Sequence, residues 1–453
     1  MTWTDLNECP RTFQVGEKSG MNVKAPSQKC SMNVLFCNKY FFLNGGTEKY
    51  LQSMLHELSA LGHTAIPFSV RYANSWPSPY SEYFLNPPGS SEETHFKHLR
   101  LGLFNAIRYL DRSIYSLDAR KALSRFLDRL QTVHVAYLLN IYNYMSPSII
   151  HTLKKHDIPV VLRLGDYNLL CPSYLFLRKG KPCQLCMKGD YFHGVRYRCV
   201  KGSFAVSAVR VAGMYLQHWL RVYHLVDAFV VPSDFMRQCL VAGGFPARRI
   251  HVMRTPVHQP LKLPEVKRNH VLYFGRIAFE KGLDTLVTAY QRSGIHPHLI
   301  LAGNSFDGEQ ERLRRLVLPE WQHRIHFVGF QEGDRLLELV AGALFSVVPS
   351  RWYDNAPQSI CESLACGTPV LASQIGAIPE QVQDGVTGRL FTSDCEEELL
   401  DALRWMASDP RRLEQMGQAG RRFIAEHHSM HHHLKQLLGL FSGLAKHESQ
   451  RGI

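Results

Sequence analysis

Four charged residues in the second half of this 453-residue chain have the types and spacing to hold a diphosphate and a sugar. Arg276 and Lys281 lie in VLYFGRIAFEKGL, and Asp354 and Glu362 in VVPSRWYDNAPQSICESLACGTPVLASQIGAIPE. Arg276 directly follows an apolar strand pattern, and Lys281 and Gly282 stand where the next helix should start. Two cations beside the free N–H groups of a helix start suit a diphosphate. Arginine grips two phosphate oxygens with a rigid fork, and lysine adds a mobile point charge. Pro357 suits the first turn of a helix and Gly367 its end, which puts Glu362 more than one turn inside, beside Ile360 and Leu364. A carboxylate that close to an apolar face is costly unless paired, and the vicinal hydroxyls of a ribose would pair it. Asp354, in the preceding loop, is placed for the sugar or its phosphate. Gly376 and Ala377 follow strand TPVLAS, where small residues let backbone N–H groups approach a ligand. Phe330, after RIHFVG, is positioned to meet a base. The bland alternative is a surface ion pair, a capping aspartate and a solvent-facing glutamate.

Positioning such a set needs parallel strands with helices between them, and the pattern supplies them. HVLYFGR, HLILAG, RIHFVG, ALFSVVPS and TPVLAS are near-continuous apolar runs alternating with helical segments, the mark of an α/β sheet covered on both faces. Ligands bind such sheets beyond the carboxyl ends of the strands. An earlier series (MNVLFC, AIPFSV, VHVAYLLN, IPVVLRLGD, DAFVVPS) repeats the pattern, with residues 97–130 mostly helical and a long helix from about Ser203 to Leu225. The expected organisation is a poorly ordered leader at 1–30 and a first Rossmann-like domain at 31–256 with a cysteine-rich insertion at 167–202. A proline-rich linker at 257–269, a second Rossmann-like domain at 270–420 and a helical tail at 421–453 follow. In the first domain Asn44, Gly45, Gly46 and Thr47 make a polar glycine turn after the first strand.

Hydrophobic residues make up 45% of the chain and charged residues 20%, an ordinary globular composition, and the length calls for two cores. No apolar stretch is long enough to span a membrane, and the start of the sequence lacks a secretory pattern, so a cytoplasmic protein is expected. The formal charge of +13 is lopsided. Residues 1–259 hold 31 Lys or Arg against 16 Asp or Glu, and the remainder 21 against 23. Nucleic acid fits the charge, but no reading surface accompanies it, so it is not expected as a partner. An anionic membrane face or a phosphate-bearing acceptor fits as well, and a solvated surface explains it without any partner. The helix SFAVSAVRVAGMYLQHWLRVYHLV either rests on a membrane or covers the sheet. The histidines at 427, 428 and 431–433 read as a solvated helix end.

Of the 11 cysteines, Cys171, Cys183, Cys186 and Cys199 cluster as C-x11-C-x2-C-x12-C. The ligand count fits a closed structural zinc site, and the loop holds too few apolar residues to order itself. An iron–sulfur cluster, a redox disulfide and unligated thiols are the alternatives.

With these residues in view, the chain resembles the retaining glycosyltransferases of the glycosyl transferases group 1 (GT4) family over residues 32–430. The family pattern is a GR…KG segment followed by a Glu, seven residues and a second Glu. Arg276, Lys281 and Glu362 stand in register, and Asp354 takes the place of the first Glu. The resemblance implies a GT-B fold of two facing Rossmann-like domains and an interdomain cleft. It also implies transfer of a sugar from a nucleoside diphosphate to an acceptor hydroxyl, in glycan, polysaccharide or glycoconjugate synthesis. Lipid-linked glycans are among the acceptors this admits. It places Gly45 and Gly46 against the donor diphosphate. The family's His-Asp pair is Gly165 and Asp166 here, which leaves Asp166 as the first-domain catalytic candidate. Two cations at the diphosphate make a catalytic metal unnecessary. A nucleotide-sugar hydrolase or epimerase on the same fold, and a metal-stabilised adaptor without activity, are the competing readings.

Overall fold

The computed structural model describes residues 31–87, 114–142, 145–264, 268–305 and 307–449. The expected leader at 1–30 and the first half of the helical stretch expected at 97–130 lie outside them; within the rest, Leu117–Leu127 is helical. Met32 onward forms one compact unit built on two parallel sheets. The first sheet contains β1 (Asn33–Cys37), β2 (Thr64–Phe68), β3 (Val135–Leu138), β4 (Val160–Arg163), β7 (Ala228–Val231) and β8 (Ile250–Val252), in the order β2-β1-β3-β4-β7-β8. Between β4 and β7 a two-stranded hairpin intervenes, β5 (Leu177–Arg178) and β6 (Lys181–Pro182). The second sheet contains β9 (His270–Phe274), β10 (His298–Ala302), β11 (Ile325–Gly329), β12 (Ala343–Val348), β13 (Val370–Ser373) and β14 (Gly388–Phe391), in the order β11-β10-β9-β12-β13-β14.

Strand alternation explains why both sheets are covered twice. In β1, Leu35 and Cys37 enter one apolar cluster, while Val34 and Phe36 enter the cluster on the opposite face. In β9, Val271 and Tyr273 face one cluster, and Leu272 and Phe274 another. A strand buried on both faces must be apolar at every position, which is the pattern the sequence shows. Each such side chain contributes roughly 1.5–3 kcal/mol on burial.

Strand order reverses direction between β1 and β3 in the first sheet and between β9 and β12 in the second. Crevices at such reversals, beyond the strand carboxyl ends, are where open α/β sheets take ligands. The glycine turn follows β1, Arg276 follows β9, and the Asp354 loop follows β12, so all three flank a reversal.

The helix Met430–Ser449 returns from the second sheet to the first. Its Leu434, Leu437 and Phe441 are buried in the cluster that contains Val34, Tyr50 and Tyr137. The solvated histidine run expected here is corrected in part: His428 and His433 are buried. His433 pairs through Nε2 with the Tyr50 hydroxyl at 2.8 Å and through Nδ1 with the Arg254 carbonyl at 3.0 Å. The long helix expected over 203–225 spans Phe204–Trp219 and is then broken at Arg221, whose φ of 52° is left-handed.

Candidate functional site

The two cations after β9 are held by acids of their own half. Arg276 pairs with Glu280, one helical turn on, and its carbonyl accepts from the Tyr273 hydroxyl at 2.6 Å. Burial works against the guanidinium charge, but Glu280 with the Tyr174 and Tyr273 phenols outweighs it and the pKa of Arg276 rises. Lys281 ends a short 3-10 turn, Phe279–Lys281, and its ammonium lies 2.5 Å from Asp354 Oδ2. That oxygen also accepts from the Ser350 hydroxyl at 3.0 Å and from the Trp352 indole at 3.2 Å. Asp354, expected at the sugar, is thus a buried partner that fixes Lys281.

Gly282 makes the loop meeting possible. Its φ is 68°, and a Cβ there would fall 2.0 Å from the Pro349 carbonyl oxygen. Only glycine lets the helix Leu283–Ser293 start this close to the loop after β12. Arg351, in that loop, pairs with Asp284 in the first turn of the helix. Burial raises the Asp284 pKa, but Arg351 and Arg312 more than offset it, and the net shift is downward.

Gly376 has a φ of 58°, and a Cβ would meet the Asp354 backbone at 2.7 Å. The Ala377 N–H donates to the Asp354 carbonyl at 2.9 Å. The small residues after β13 therefore brace the acidic loop, and the Ala377 N–H expected at the ligand is already engaged. Phe330 is exposed at the carboxyl end of β11, the edge strand.

Two first-half elements close on this set. The helix Gly46–Ala60 begins at the glycine turn, with Gly45 as its cap. A Cβ on Gly46 would come within 3.2 Å of the Gln358 side chain, so two helix starts face each other. Lys49, in the first helix, pairs with Glu362 of the helix Gln358–Ala365. Glu362 therefore has a cationic partner in this structure. Glu380 reaches back across. Its carboxylate accepts from the Asp234 and Phe235 N–H groups at 2.8 and 2.7 Å, capping the helix Asp234–Ala242, while Ser233 donates to Asn355 at 2.8 Å.

Asp166 follows β4 and accepts from the Asn168 N–H at 3.0 Å and from the Asn168 amide at 2.7 Å. Arg210 holds Asn168 in turn, at 2.9 Å to its carbonyl. Burial raises the Asp166 pKa against the pull of Asn168, Arg210 and Lys39. At Gly165 a Cβ would stand 3.9 Å from both Thr47 Oγ1 and Arg163 Nη1, so the position lies directly beside the glycine turn.

Cys171, Cys183, Cys186 and Cys199 line one small cavity and are free thiols. Burial and the three neighbouring cysteines push the Cys186 thiol up to about 12. Among the described residues no three His, Cys, Asp or Glu are arranged to hold a metal ion, so the zinc expectation is not supported. The segment is ordered by other means: Cys186, Tyr191 and Val195 pack against Val211 and Met214 of the following helix, Phe204–Trp219, and the β5–β6 hairpin orders it further.

Sequence reasoning named Arg276, Lys281, Asp354 and Glu362 and did not name their partners Glu280 and Lys49, nor Glu380. Glu280 had a signal, an acid four residues after Arg276 on the same turn. Lys49 and Glu380 had none, since their partners lie more than a hundred residues away.

Residues 258–423 match the family model described as Glycosyl transferases group 1. Over 244 residues the chain is 30% identical to the alpha-maltose-1-phosphate synthase of Mycolicibacterium smegmatis, covering 48% of this chain and 62% of that protein. It is 31% identical over 161 residues to the D-inositol 3-phosphate glycosyltransferase of Thermobifida fusca, covering 33% and 37%. The chain thus spans less than two thirds of the length of these curated relatives. Among solved structures, it resembles sucrose-phosphate synthase from Thermosynechococcus elongatus with a TM-score of 0.66 at 16% identity, covering 91% of this chain and 99% of that one. It resembles HepE of Anabaena, in complex with UDP and glucose, with a TM-score of 0.62 at 16% identity, covering 91% and 100%. These likenesses establish the GT-B fold.

Proposed function

We propose, for a chain whose residues 258–423 belong to the glycosyl transferases group 1 family, that it transfers a sugar from a nucleoside diphosphate to an acceptor hydroxyl with retention at the sugar carbon. The observation that carries this is that Arg276 and Lys281 follow β9 beside the strand-order reversal, with Lys281 tied to Asp354, while the glycine turn and its helix meet the Glu362 helix through Gln358 and Lys49. Arg276 and Lys281 bind the diphosphate and stabilise the charge that grows on it as the bond to the sugar carbon breaks. Asp354 positions the Lys281 ammonium. Glu362 takes the ribose hydroxyls, exchanging Lys49 for them. The acceptor oxygen bonds to the sugar carbon on the face the diphosphate leaves, and the acceptor proton passes to the departing diphosphate. Positioning and electrostatics then supply the rate, and no step requires a side-chain nucleophile. Asp166, held by Asn168, orients the acceptor.

HepE was solved with UDP and glucose, which puts UDP-sugars first in a donor screen. Calorimetric titration of UDP-, GDP- and ADP-sugars tests the reading. Binding of one of them, weakened at least about tenfold in Glu362→Ala, is the expected result, since charge-assisted hydrogen bonds contribute roughly 1.5–3 kcal/mol. Binding of none overturns it.

One further property belongs to this reading. The helix Phe204–Trp219 exposes Phe204, Tyr215 and Trp219, the last by 78%, beside the exposed cations Lys201 and Arg221. That surface suits peripheral contact with an anionic membrane, and flotation with anionic but not neutral vesicles is the expected result. Among the described residues no helix is long and apolar enough to cross a membrane.

A further inference from the structure

We propose that the segment from Cys171 to Cys199 forms the acceptor-side wall of the transfer site, and that Tyr174 receives a sugar-bearing acceptor by stacking against a pyranose ring. This rests on the nucleotide-sugar reading above.

The segment belongs to the first half of the chain but touches both cationic loops of the second. A Cβ on Gly180, at the tip of the β5–β6 hairpin, would lie 3.5 Å from the Phe279 ring, in the turn between Arg276 and Lys281. The Phe176 ring lies 6.3 Å from that of Tyr353, the neighbour of Asp354. Phe176 also packs on Tyr167, the neighbour of Asp166, at 4.5 Å. Tyr174 is two residues from Phe176. Burial raises the pKa of its phenol, and Arg276, Glu280 and Asp166 act on it electrostatically, so charges of both halves lie in its neighbourhood. The residue is nevertheless 41% exposed.

The backbone supports a dedicated role. Tyr174 has a φ of 57° and Phe176 one of 48°, left-handed conformations that bulky side chains adopt only when their surroundings enforce them. The Tyr174 N–H donates to the Cys171 carbonyl at 2.9 Å, which fixes the turn. Five of the ten described non-glycine residues with positive φ fall between Tyr174 and Lys201. Strain collected in one segment and aimed at a cleft is how proteins set a side chain against a ligand.

The chemistry selects the acceptor. A pyranose offers an apolar C–H face and a rim of hydroxyls. An exposed aromatic ring matches the face, and the Tyr174 hydroxyl with Asp166 matches the rim.

The test uses the full chain with whichever of UDP-, GDP- or ADP-glucose binds. The acceptors are p-nitrophenyl and octyl glycosides, 1-octanol and a serine peptide. Transfer to the glycosides is expected to exceed transfer to the other two. Tyr174→Ala should raise the glycoside KM about tenfold, the equivalent of one good ring contact. Nucleoside diphosphate Kd and acceptor-free donor hydrolysis should stay within about twofold. Tyr174→Trp should keep the KM within about threefold, because the ring is the platform, and it carries the test where the alanine variant unfolds. A Tyr174→Ala KM within about twofold, an equal loss in Tyr174→Trp, or preferred transfer to octanol or the peptide overturns the assignment. So does transfer to none of the glycosides by a chain that binds its donor. A wild type that binds no nucleotide sugar fails earlier, at the reading beneath.

Discussion

The loops beyond the two sheets are built on different principles. Those of the second sheet are wired by charge: Arg276 to Glu280, Lys281 to Asp354, and Arg351 to Asp284. Those of the first sheet hold a glycine turn, an aspartate braced by Asn168, and aromatic residues in left-handed backbone. On the proposed reading, a diphosphate common to all nucleoside-diphosphate sugars is served by a fixed set of charges, and an acceptor, whose shape is particular, meets the strained loops of the other half.

That contrast can be broken at several points. The largest effect should come from Gly282→Ala. The new methyl overlaps the Pro349 carbonyl and the φ is unfavourable, so a loss on the order of 4 kcal/mol is expected, read as a drop of several degrees in Tm. An unchanged Tm would show that the loops of the second half are softer than their ion pairs suggest. Arg276→Ala should lower turnover by about 10² or more at saturating donor, equivalent to about 2.7 kcal/mol, and lower Tm as well, because Glu280 is left buried without its partner. Near-normal turnover would remove the arginine from the diphosphate.

Acid should reveal the third effect. Burial is the leading cause that brings His433 down to about 3 and His428 to about 4 from an ordinary value of 6.5. The unfolded chain therefore binds more protons between pH 6.5 and the folded values. Their contribution to stability is intact above pH 6.5 and is lost as pH falls. At pH 5 the loss is on the order of 2 kcal/mol per imidazole. A Tm scan from pH 7 to 5 should show a decline that His433→Gln flattens, and an identical slope in the variant would sink the idea. The smallest effect belongs to Glu380→Gln, which keeps the shape of the cap on the helix Asp234–Ala242 but removes its charge. A cost of about 1 kcal/mol is expected, and denaturant titration would detect it.

How far the sequence could be read follows the same division. Arg276, Lys281, Asp354 and Glu362 were legible because charges at strand ends and helix starts interrupt apolar runs. The strands themselves were legible because burial on both faces leaves no polar position. Strands β5 and β6, with two residues each, carry no periodicity to read. The cysteines suggested a metal because their spacing is visible, while the packing of Tyr191, Val195, Val211 and Met214 against Cys186 depends on a helix further along the chain. His428 and His433 resembled solvent-facing neighbours of the other tail histidines, since only the returning helix reveals which of them turn inward.

The chain passes between its two halves twice, and the passages are stitched together. Val257 donates to the His428 carbonyl at 3.1 Å, and the His428 ring meets the Thr255 carbonyl at 2.9 Å. The two passages therefore form one double ribbon and not two independent strings, so any motion of one half against the other has to bend both together. Cutting the backbone at either passage alone should leave its ends tied to the other passage at Thr255, Val257 and His428.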